Sequence, residues 1–151
     1  MNINEIYVRH PYTFKGQRSL DLKLFKDEIL FKQYTEKNKF FINQTKFIVL
    51  NIKNSLHMKY LKNPILYKDV YEEYIATTNQ KEHSLKNFNH LKDSFSLELL
   101  NKNKILLEEF EYEGKIVYLI NDGLHRASIY FYNFEEELDS KYFEIIKNKY
   151  I

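Results

Sequence analysis

The chain has 151 residues, 44% of them hydrophobic and 29% charged, which suits one globular domain of 1–151 and argues against wholesale disorder. Its 23 basic and 21 acidic residues leave a net charge of +2, so no strong field announces nucleic acid or an anionic membrane as partner. It has no cysteine, which excludes disulfides, thiolate metal sites and cysteine nucleophiles, and its 3 glycines exclude the glycine-rich dinucleotide and phosphate-loop fingerprints. The first residues lack the basic start and apolar run of a signal peptide, and no apolar stretch approaches ~20 residues. A cytoplasmic protein without a membrane span is the expectation. The oligomeric state is not readable. The 13 Tyr and 12 Phe are read mainly as core.

In chain order, residues 1–17 read as an irregular arm, with Arg9 and His10 ahead of Pro11. Arg9 closing over a phosphate is the functional alternative there. Ser19 to Phe25 alternates, with Leu20, Leu22 and Leu24 on one side, which favours a strand. Asp27 to Tyr34 fits helix or strand. Phe47 to Ile52 is a short β-rich run and reads as a buried strand. Asn54 or Ser55 caps a short helix through about Leu61, and Pro64 interrupts it. Tyr67, Val70, Tyr71, Tyr74 and Ile75 recur at helical spacing. Leu85, Phe88, Leu91 and Phe95 mark an amphipathic helix opening near Ser84.

Lys104 to Tyr112 and Lys115 to Ile120 read as strands joined by a tight turn at Glu113-Gly114. Asn121-Asp122-Gly123 ends the second strand, and a helix with Ala127, Ile129, Tyr130 and Asn133 follows. Glu135 to Glu137 reads as a solvated loop or helix end. Tyr142 to Ile146 reads as a closing strand, with the middle of a last helix as the alternative. The expected class is α+β (mixed α/β), a small sheet with helices packed on it.

The chemistry concentrates at the strand–turn–helix over Ile116 to Ile129. A helix start offers amide N–H groups without intrahelical partners and a positive dipole end, a ready place for an anion. Gly123 permits a positive φ. Arg126 adds a planar fork suited to phosphate or carboxylate. Asp122 has the chemistry to hold a metal, orient His125 or act as a base. Only Arg9, Arg18 and Arg126 among the 23 basic residues are arginine, which draws attention to an arginine beside a histidine at a helix start. The plainer reading is that Asp122 caps the helix and pairs with Arg126.

Asp122, Gly123, His125 and Arg126, with Ala127 following, resemble the Asp-Gly-x-His-Arg signature of the ParB/sulfiredoxin-like superfamily. The resemblance covers about Lys104 to Tyr132. It implies a compact fold whose motif helix meets nucleotide phosphates. Sulfiredoxin activity needs a motif cysteine, which this chain lacks, and ParB's Gly-Glu-Arg-Arg motif is absent. Other relatives are kinases that phosphorylate free serine with ATP or ADP. There the motif handles phosphates and metal, and a separate upstream Glu acts on the substrate hydroxyl. Ser55-Leu56-His57, Tyr71-x-x-Tyr74-Ile75, Glu82-His83-Ser84 and Phe88-x-x-Leu91, in that order, resemble uncharacterised proteins found among bacterial surface-polysaccharide genes. Leu56 and Glu82 replace a Pro and an Asp common there.

The resemblance, with these residues, sets the expected site. Asp122, His125, Arg126 and Glu82 are the catalytic candidates, and Asp122 the Mg²⁺ ligand. Gly123, Leu124, His125, Arg126, Ala127 and Ser128 would bind the nucleotide, ATP or ADP with CTP as a further candidate. His83, His57, Ser55 and Asn121 would contact substrate. The expected function is a nucleotide-dependent kinase acting on a hydroxyl of an amino acid, sugar or polyol, in surface-polysaccharide biosynthesis or elsewhere. The alternative is a ParB-like nucleotide- or nucleic-acid-binding module. The even charge balance speaks against nucleic acid as partner.

Overall fold

The structure is a computed structural model, and it describes residues 1–14, 17–18, 20–35, 45–77, 84–134 and 137–146. It is mixed α+β, with helices packed on a curled sheet. The strands are β1 (Ile6–Phe14), β2 (Gln17–Arg18), β3 (Ile29–Thr35), β4 (Thr45–Asn51), β5 (Ile105–Tyr112), β6 (Lys115–Asp122) and β7 (Phe143–Ile146). The helices are α1 (Leu56–Lys62), α2 (Pro64–Thr77), α3 (Leu85–Ser94), α4 (Leu97–Lys102) and α5 (Leu124–Phe134). The strand order is β3-β4-β1-β6-β5-β7, with β2 paired to β1. β1 runs parallel to β6, and β5 parallel to β7; the other pairs are antiparallel.

The N-terminal segment corrects the expectation of an irregular arm over 1–17. Ile6–Phe14 is a strand inside the sheet, between β4 and β6. Ile6, Val8 and His10 alternate inward and are buried. A polar residue at the third inward position and a proline at Pro11 hide the pattern. The proline sits where the β1–β4 register shifts, between Pro11 and Thr13, so its missing N–H does not break a regular ladder. The strand expected over Ser19 to Phe25 is also corrected. Asp21 caps a 3₁₀ turn at Leu22–Leu24 by accepting from the Lys23 amide at 3.0 Å. Leu20 and Phe25 are the buried members of that segment.

The helical readings hold. Ser55 Oγ accepts the Met58 amide at 3.1 Å and Ser84 Oγ accepts the Asn87 amide at 3.0 Å, so both helices open on serine caps. Pro64 is the first residue of α2, where its fixed φ suits a helix start. Glu113 (φ 50°) and Gly114 (φ 78°) form the turn between β5 and β6, the double positive φ of a two-residue hairpin. The segment beginning at Tyr142 closes as strand β7. Helix α4 had no counterpart in the sequence reading.

The sheet curls until distant strands meet. Phe31 of β3 stacks on Phe110 and Tyr112 of β5, at ring separations of 5.3 and 4.7 Å. Tyr112 Oη donates to the Leu30 carbonyl at 3.3 Å. Both faces of the sheet therefore bury side chains. Ile6, Val8, Leu50 and Leu107 pack under the helices, and Val49, register partner of Phe31, is fully buried in the curl.

Candidate functional site

Strand β6 leads into α5 through Gly123, whose φ of +96° lies outside what side-chain-bearing residues adopt at low cost. A Cβ there would lie 3.0 Å from Arg126 Nη2 and 3.3 Å from Ile105 Cγ1, so glycine also makes room for the arginine. Just before it the β5–β6 ladder slips. Leu106 pairs with Asp122 and Leu107 with Ile120, leaving Asn121 as the extra residue of a bulge.

Arg126 turns back over this junction. Its Nη1 donates to the Asn103 carbonyl and its Nη2 stands 3.4 Å from Asp122 Oδ2. The arginine side chain is 15% exposed and the aspartate 68%. Together they line an open cleft of about 380 Å³ with Asn101, Lys102, Asn103, Lys104, Leu106 and Glu144. Three cations, Lys102, Lys104 and Arg126, thus face one cleft with two carboxylates, Asp122 and Glu144. The carboxylates come from strands on either side of β5, because Leu106 pairs with Asp122 on one side and Glu144 on the other. Mg²⁺ commonly takes one or two protein carboxylates and completes its shell with water and substrate phosphate, so the donor type and number here are those it would use. Among the described residues no group of three or more His, Asp or Glu is arranged to hold a metal unaided.

The structure does not bring His125 and Arg126 to one place. Adjacent helical residues point about 100° apart. The His125 ring packs into the helix layer instead, 4.9 Å from the His57 ring and 5.2 Å from Phe88. His57 in turn stacks on His10 at 5.5 Å, so imidazoles from β1, α1 and α5 form one column. His10 is fully buried and His57 nearly so. His10 Nε2 accepts the Leu56 amide at 3.2 Å. An amide only donates, so Nε2 carries no proton and the neutral ring holds it on Nδ1. That N–H points to Tyr74 Oη at 3.3 Å. Burial lowers the His10 pKa to about 3 and raises the Tyr74 and Tyr71 phenols above their ordinary range.

Other expected contacts are already committed. Ser55 is buried and its oxygen caps α1. Ser128 is buried and donates to the Leu124 carbonyl at 2.7 Å, while the Ala127 amide donates to the Gly123 carbonyl at 2.8 Å. Leu124 packs against the core. Of the expected nucleotide contacts, the Arg126 side chain is the one that reaches the cleft. Asn121 is exposed and meets Arg9. Glu82 and His83 lie outside the described residues.

Sequence reasoning missed Lys102, Lys104 and Glu144, which carry no motif and reach the cleft from α4, the α4–β5 connection and β7. No helix among the described residues is long and apolar enough to cross a membrane. No protein-family model, curated protein or solved structure matches the chain.

Proposed function

We propose that this chain is a small nucleotide-dependent phosphotransferase, acting on a hydroxyl of an amino acid, sugar or polyol in the cytoplasm, where nucleoside triphosphates are held. The observation that carries the reading is the cleft at the β6–α5 junction, where Arg126 and Asp122 face Lys102 and Lys104. Phosphoryl transfer asks a protein mainly for positioning and charge neutralisation. Arg126 is fixed from two sides, by the Asn103 carbonyl and by Asp122, so its fork is preorganised rather than mobile. Lys102 and Lys104 supply point charges for further phosphate oxygens. Asp122 and Glu144 are the residues that would hold Mg²⁺, whose chemistry is to neutralise charge on the phosphate chain. His125, one of the expected contributors, packs on His57 in the helix layer and does not line the cleft.

The test is phosphorus NMR of the protein with ATP or ADP, Mg²⁺ and a panel of hydroxylated acceptors. Phosphoryl transfer is expected from the native chain. Asp122→Asn and Arg126→Ala should each lower it about 100-fold or more, the scale for losing a group that stabilises transition-state charge. Full turnover by both variants would remove the motif cleft from the chemistry.

A further inference from the structure

The parallel pairing of β1 with β6, Ile6 to Tyr118 and Tyr7 to Leu119, carries Arg9 to the level of Asn121. Arg9 Nη2 donates to Asn121 Oδ1 at 3.5 Å and stands 4.0 Å from Glu108 Oε2. Glu108 lies two residues from Leu106 along β5, hence on the same face of the sheet, and Leu106 lines the Arg126 cleft. Regular alternation would send Asn121 and Asp122 to opposite faces. The bulge instead lets Asn121 meet Arg9 while Asp122 enters the cleft beside Leu106. Two of the chain's three arginines therefore flank Asn121 and Asp122 on one face.

The Glu108 side chain is only 6% exposed and that of Arg9 22%. A carboxylate that buried is costly unless short, multiple hydrogen bonds hold it. Here its ion pair is at the outer limit of contact, and the Arg9 bond to Asn121 is also long. A guanidinium has five N–H donors and a carboxylate about four acceptor positions, so this trio is far from saturated by its own contacts.

We propose that Arg9, Glu108 and Asn121 form a second binding subsite, on the same sheet face as Leu106 of the Arg126 cleft, for a small molecule carrying a hydroxyl next to a carboxylate or phosphate. Arg9 takes the anionic group in its fork, Glu108 accepts the hydroxyl proton in a hydrogen bond, and the Asn121 amide joins the two. This rests on the phosphotransferase reading in one respect: the ligand described is the acceptor, with the nucleotide at the Arg126 end.

The test is a ¹⁵N NMR titration of the full chain with glycerate and, separately, with glycerol 3-phosphate. The two arms distinguish a carboxylate from a phosphate as the anion. The variants are Arg9→Gln/Glu108→Gln and Arg126→Ala. The double variant removes both charges together, because removing Arg9 alone would strand a buried carboxylate. Shifts are expected at the Arg9 Nε and Asn121 Nδ2 resonances with at least one probe. Affinity read at the Arg9 and Asn121 resonances should fall about tenfold or more in the double variant. The proposal is overturned by equal affinity in the double variant, or by no shift with either probe up to roughly 20 mM, where a millimolar site is nearly saturated. Should the double variant not fold, the location of the native shifts decides: at Arg9 and Asn121 they support the subsite, elsewhere they overturn it. Probe binding through Arg9 with nucleotides ignoring Arg126 would sink the phosphotransferase reading and leave the subsite standing. Nucleotides binding through Arg126 while both probes ignore Arg9 would do the reverse.

Discussion

His10→Ala is expected to destabilise the fold by about 3–5 kcal/mol, the sum of a buried cavity and an orphaned amide. The ring is fully buried on β1, and its Nε2 is the acceptor for the Leu56 amide at the start of α1. Removing it leaves that N–H in a dry interior. His10→Gln offers a replacement oxygen and should recover part of the loss. The native residue also sets a pH dependence. The folded protein keeps His10 neutral down to a pKa of about 3, whereas the unfolded chain takes up a proton near the ordinary 6.5. The unfolded state therefore binds more protons between these values, and stability falls as pH drops through that window. The slope approaches 1.4 kcal/mol per pH unit, or about 2 kcal/mol lost by pH 5. Urea unfolding at pH 7 and pH 5 measures it, and the loss should shrink in His10→Gln. An unchanged pH dependence in that variant would remove His10 as its source.

Gly123→Ala is expected to cost about 1–3 kcal/mol in backbone strain, and to displace Arg126 as well. The added Cβ would press on Arg126 Nη2 at 3.0 Å, so the guanidinium must give by a few tenths of an ångström against its contacts with Asn103 and Asp122. Gly114 provides the internal control. Its φ is +78°, but an added Cβ meets nothing within 4 Å. Gly114→Ala should thus show the strain cost alone, with the cleft intact. Thermal unfolding of both variants, with the Arg126 Nε resonance as a second readout, separates the two effects. Equal behaviour of the Arg126 signal in both would contradict the packing argument.

What the sequence made legible follows from which forces are local. The Glu113-Gly114 turn, the helix starts at Asn54-Ser55 and near Ser84 and the strand–turn–helix around Gly123 are written in residues next to each other, and the structure has each of them, with Ser55 rather than Asn54 as the cap. β1 was not legible because its inward face holds His10, a polar residue made acceptable by an amide more than 40 positions away. The Ser19–Phe25 alternation misled because Asp21 competes locally for the Lys23 amide and tightens the chain into a turn. At the site, Asp122, Gly123 and Arg126 were legible as a motif. The split between Arg126 in the cleft and His125 in the helix layer was not, since it depends on what α1, α3 and the β5–α4 connection place on either side. Arg9 meets Glu108 and Asn121 only through strand pairing, which adjacent residues do not announce.

The phosphotransferase proposal requires the Arg126 cleft to receive the phosphates of a nucleotide. A thermal-shift series with ATP, ADP, CTP and pyrophosphate, each with and without Mg²⁺, on the native chain and Arg126→Ala, addresses it most directly. A ligand at ~100 times its dissociation constant stabilises by about 2.7 kcal/mol, several degrees for a domain of this size. That rise is expected for at least one nucleotide, and its loss in Arg126→Ala while the variant still melts cooperatively. No rise with any of them, or an equal rise in the variant, would contradict the proposal.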